Sequence, residues 1–80
     1  MKTSDTIKQR LKNSGAPFWA GDNIADFIKD GEKEKLIEEL TEKFEGVLDS
    51  LIIDRENDPN SQNTPNRLAK MYINEVMSGR

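Results

Sequence analysis

The feature that most constrains this chain is an apolar stripe between residues 32 and 51. Large apolar side chains recur there every three or four positions, the spacing that puts them on one face of an α-helix. They are Leu36, Ile37, Leu40, Phe44, Val47, Leu48 and Leu51. We interpret the charges between them as a solvated face: Glu32, Lys35, Glu38, Glu39, Glu42, Lys43 and Glu45. The stripe predicts a long helix that packs against another element.

A second helix is predicted over residues 64–77. Thr64 supplies an N-cap hydroxyl, Pro65 suits the first helical position, and Ser78-Gly79 is a suitable stop. The polar segment 54–63 contains Pro59 and predicts a loop. Helices joined by such a loop pack antiparallel. In that arrangement one set of side chains faces another: Leu40, Phe44 and Leu48 against Leu68, Tyr72 and Val76.

For residues 1–31 the sequence predicts an arm of short helices with a weaker helical pattern than that of the pair. The first would have Ser4 or Asp5 as its N-cap and end at Gly15, and only Ile7 and Leu11 mark its apolar face. With so little area to bury, it should be less ordered than the pair. A short helical turn follows, which Asp22 could cap and Asp30-Gly31 would interrupt; its apolar residues are Ile24, Phe27 and Ile28. The predicted fold class is therefore all-α: an antiparallel helical pair over 32–80 with an arm over 1–31.

Composition limits the function. Twelve basic and fifteen acidic residues give a formal net charge of −3, the wrong sign for a protein that neutralises phosphates, so no nucleic-acid partner is expected. The chain has neither cysteine nor histidine, so no cofactor and no zinc chemistry is expected in these residues alone. No signal peptide or membrane-spanning run is evident, which favours a cytoplasmic protein without a membrane partner.

The segment from Thr64 to Gly79 carries a family resemblance. It resembles the TP-x-R-x-A-K-M-Y-x-x-E-x-x-S-G stretch of GTP cyclohydrolase I. The matching residues are Thr64, Pro65, Arg67, Ala69, Lys70, Met71, Tyr72, Glu75, Ser78 and Gly79. Residues 36–51 and the following acidic loop are similar to the preceding helix and loop of that family, so the resemblance covers about the second half of the chain.

The resemblance implies a zinc enzyme that converts GTP to 7,8-dihydroneopterin triphosphate and formate. In the family the zinc ligands and the triphosphate-binding residues lie downstream, in a domain that would begin where this chain stops. The resemblance therefore implies a non-catalytic segment with a role in packing and subunit assembly. Its partners would be the downstream domain and neighbouring subunits of a homo-oligomer, and GTP would bind only to the full-length enzyme.

The motif residues then have two interpretations. Most of them are explained by the N-cap, the apolar stripe and the stop of the predicted helix. Arg67, Lys70 and Glu75 either contact another domain or subunit, or are ordinary surface charges. The aromatic pair Phe18-Trp19 either closes the chain's own core or docks on another subunit.

Other functions remain possible from the sequence. A free-standing helical module could offer the 36–51 or 68–76 face to a partner helix. A helix-turn-helix DNA reader is disfavoured by the acidic balance. Alternating oxygen side chains from Asp54 to Gln62 suggest a calcium loop, but Pro59 and Pro65 stand where that loop needs glycine and a bidentate glutamate.

Overall fold

The computed structural model describes the backbone of residues 2–78 and the side chains of residues 2–76. Three α-helices and one short 3₁₀ turn make up the described chain, which contains no strand: α1 (Thr3–Ser14), the turn (Ala25–Phe27), α2 (Glu32–Ser50) and α3 (Thr64–Ser78). The predicted all-α class is confirmed. The molecule is elongated, with principal extents of 45 × 24 × 22 Å.

Helices α2 and α3 form the predicted antiparallel pair. The rings of Phe44 and Tyr72 stack with their centroids 5.8 Å apart and an interplanar angle of 23°, which confirms the predicted pairing at that point. Leu48 on α2 and Ala69 on α3 are buried. The register of the two helices therefore follows from their apolar stripes.

Helix α1 contributes more to the core than its two apolar residues suggest. Ile7 and Leu11 are 3% and 1% exposed, and they pack in one cluster with Ile24, Leu36 and Ile73. The expectation that these side chains offer little to bury is therefore wrong. Two residues suffice here because the segment before α2 and both longer helices converge on them.

The linker between α1 and α2 separates its two aromatics. Phe18 packs against the core, but Trp19 is 83% exposed, so the core interpretation is correct for Phe18 and wrong for Trp19. Asp22 does not cap the 3₁₀ turn: its carboxylate accepts a 2.7 Å hydrogen bond from the Trp19 N–H, and Asn23 accepts one from Ala25. The predicted interruption at Asp30-Gly31 is confirmed, since Gly31 adopts a left-handed conformation, with a φ of 85°, immediately before α2 begins.

The two ends of the molecule are built differently. Helix α1 has 12 residues and α2 has 19, so at 1.5 Å per residue α1 covers only part of α2. We call residues 2–43 and 73–78 the capped end, where α1 packs over the longer helices. Residues 44–72 form the hairpin end, where only α2, α3 and their connecting loop are present.

Candidate functional site

An ion pair fastens α1 to the start of α2. Arg10 donates two hydrogen bonds, of 2.7 and 2.9 Å, to the Glu32 carboxylate, and a third to the Phe27 carbonyl oxygen. The same carboxylate accepts a 2.7 Å bond from the Lys29 N–H. Only 14% of the Glu32 side chain is exposed. This geometry holds α1, the turn and α2 together at one point.

The protonation of Glu32 follows from these contacts. The hydrogen bonds from Arg10 and from the Lys29 backbone lower the pKa of Glu32 to about 2, from an ordinary value of 4.5. The carboxylate therefore stays ionised in the folded chain well below neutral pH.

Glu39 makes the second attachment of α1. It accepts a 3.0 Å hydrogen bond from the Ser4 N–H and another from the Ser4 hydroxyl, and Lys43 lies 3.5 Å away. Burial raises the pKa of Glu39, but these hydrogen bonds outweigh it, and the net shift is downward. Ser4 thus bonds to α2 and is not the N-cap of its own helix, which begins at Thr3.

The interpretation of a wholly solvated charged face on α2 is therefore wrong for Glu32 and Glu39. The two residues lie seven positions apart, two helical turns, and flank the buried Leu36. The apolar stripe marks the face of α2 that packs on α3. Helix α1 covers a neighbouring face of α2, where it contacts the carboxylates of Glu32 and Glu39 as well as apolar side chains.

At the hairpin end, α2 terminates in a Schellman motif with an isoleucine in the left-handed position. The Ile53 N–H donates to the Leu48 carbonyl oxygen and the Ile52 N–H to that of Asp49, both at 3.1 Å. Ile52 has a φ of 60° and is the one non-glycine residue with positive φ in the described chain. Glycine normally takes this position, because a side chain there costs about 1–2 kcal/mol.

Arg55 ties the chain back onto α2 just after this turn. It donates hydrogen bonds of 2.8 and 3.1 Å to the Asp49 carboxylate and one of 2.9 Å to Glu45. The Arg55 guanidinium lowers the pKa of Asp49. These bonds fix the position of the turn against the last two turns of α2.

The turn carries a group of exposed apolar side chains, which we call the apolar corner. It consists of Val47, Leu51 and Ile52, which are 50%, 64% and 91% exposed. Val47 and Leu51 belong to the stripe that was expected to pack, and for these two residues the expectation is wrong. Helix α1 ends short of them, and the rest of the described chain leaves half or more of each of these side chains exposed.

The family-motif residues divide into buried and exposed sets on α3. Pro65 and Ala69 are buried, and Thr64 is half-buried and donates a 3.0 Å hydrogen bond to the Asn60 carbonyl oxygen. That hydroxyl bonds to the preceding loop, so its predicted role as an N-cap acceptor is wrong, and the helix begins at Thr64 itself. Gly79 lies outside the described residues. The exposed motif residues are Arg67, Lys70, Met71, Tyr72 and Glu75.

The acidic loop satisfies its own polar groups locally. Asp54 accepts hydrogen bonds from Asn57, and Asp58 accepts them from Asn60 and Ser61. Within the part of the chain that the structure describes, no cluster of three potential metal-ligating residues occurs. None of the described helices is long and apolar enough to cross a lipid bilayer.

A small cleft of about 260 Å³ opens at the capped end between α1 and α3. Its walls are largely the core side chains themselves, with Lys8 and Ser4 among its few polar residues. The Ser4 hydroxyl is already bonded to Glu39. We therefore regard the cleft as imperfect packing of a small core.

Comparison of the chain with protein families, characterised proteins and solved structures finds no match. The functional argument therefore depends on the residues themselves. Sequence reasoning missed the apolar corner, although a signal was present. Leu51-Ile52-Ile53 is a run of three apolar residues at the end of a helix that has no glycine to stop it.

Proposed function

We propose that this chain is the amino-terminal helical, non-catalytic segment of a GTP cyclohydrolase I, and that it serves packing and subunit assembly. One observation supports the proposal: the described part of the motif, residues 64–78, lies on one helix and includes positions that are exposed in this chain. Arg67 and Lys70 are exposed, whereas a motif needed only for the core would be limited to buried positions such as Ala69. We infer that the exposed residues contact the downstream domain or a neighbouring subunit.

The chemistry of the proposed enzyme would lie outside these residues. GTP hydrolysis with loss of formate calls for a metal-activated water, and catalytic zinc is held by histidine, cysteine or carboxylate sets with an open position. This chain has no cysteine and no histidine, so its donor groups do not fit that site. The full-length enzyme, and not these residues alone, would bind the zinc and the GTP, and it would act in the cytoplasm.

The test compares this chain with a version extended through the downstream domain, at equal concentration with zinc supplied. Formate release and the fluorescence of oxidised neopterin report turnover. The extended protein should be active and the 80-residue chain inactive. Turnover by the short chain, or inactivity of a well-folded extended protein, would overturn the proposal.

A matched pair of substitutions tests the motif within the extended protein. Arg67→Ala and Lys70→Ala should change its oligomer size or activity, whereas Lys12→Ala, an exposed residue at the end of α1, should not. Normal assembly and activity in both motif variants would contradict an interface role for these side chains.

The alternative function is a free-standing interaction module, and the apolar corner is the observation that favours it. The faces first suggested for partner binding are mostly engaged inside the chain, since Leu36, Leu48 and Ile73 are buried. A stop codon directly after Arg80 in the gene would support this alternative. An open frame with cysteine and histidine in the downstream zinc pattern would support the enzyme segment.

A further inference from the structure

We draw no further inference here: the strongest candidate, the apolar corner of Val47, Leu51 and Ile52 at the hairpin end, is an exposed apolar surface, and nothing in the structure shows what covers it.

Discussion

The capped end and the hairpin end terminate their helices with the same hydrogen bonds but different residues. At the capped end, Gly15 takes the left-handed position with a φ of 74°, and the Ala16 N–H donates to the Leu11 carbonyl oxygen. At the hairpin end, Ile52 takes that position with a φ of 60°. Glycine adopts this backbone without strain and isoleucine does not. Local stability therefore explains Gly15, and it does not explain Ile52.

The two ends also differ in how deeply α1 and the turn after α2 bury their apolar side chains. At the capped end Ile7 and Leu11 are almost fully enclosed, and two carboxylates hold α1 in place. At the hairpin end Leu51 and Ile52 remain mostly exposed. The comparison indicates that α1 closes the core around Ile7 and Leu11 at the capped end, whereas the side chains of the turn at the hairpin end stay exposed.

The largest expected effect is at the capped end. Leu11→Ala should lower the free energy of unfolding by about 3 kcal/mol, because it opens a cavity among fully buried neighbours. Leu51→Ala, the same change at an exposed site, should alter it by no more than about 0.5 kcal/mol. Urea unfolding of both variants at low protein concentration measures the difference. Equal losses at the two sites would abolish the distinction between the ends.

The next effect has opposite signs at the two helix termini. Ile52→Gly should raise the free energy of unfolding by about 1 kcal/mol through relief of strain. Gly15→Ala should lower it by about the same amount; an added Cβ there meets no atom within 4 Å, so the cost is one of backbone conformation alone. Thermal unfolding of the two variants measures both signs. A destabilised Ile52→Gly would mean that the isoleucine serves the fold after all.

The smallest effect concerns pH. The pKa of Glu32 is lowered from 4.5 to about 2 in the folded chain, so its stabilising contribution is complete above about pH 4.5 and is lost as the pH falls towards 2. Glu32→Gln should therefore flatten the acid dependence of stability in that window. Unfolding measured at several pH values from 2 to 6 tests this. A variant with an unchanged acid profile would show that the contact with Arg10 contributes little to stability.

The sequence predicted the parts of this fold that depend on one long repeat. The stripes from Leu36 to Leu48 and from Leu68 to Val76 specify two helices and their mutual register, because many residues agree on one face. Ile7 and Leu11 are too few to specify a partner, so their central place in the core could not be inferred. The lengths of α1 and α2 decide which part of the stripe is covered, and periodicity contains no information about that.

Of the residues considered for function, the sequence predicted some and missed others. The helix that carries the family motif was predicted from its residues, and Arg67, Lys70 and Glu75 on it are exposed. Their role in an interface stays a prediction. The left-handed conformation of Ile52 was not predicted, because an apolar run such as Leu51-Ile52-Ile53 does not specify a backbone angle. Glu32 and Glu39 were interpreted as solvated because a helical wheel shows one apolar face and cannot show a second helix beside it.

Native-state amide hydrogen exchange tests the difference between the two ends most directly. The sequence alone predicts that residues before Asp22 exchange faster than the helical pair. The structure predicts the reverse for the core of α1. Amides between Ile7 and Leu11 should be protected at least as well as those between Phe44 and Leu48, because the Ile7 and Leu11 side chains are enclosed and Ser4 and Arg10 bond α1 to α2. Rapid exchange throughout α1, with strong protection confined to α2 and α3, would contradict the account.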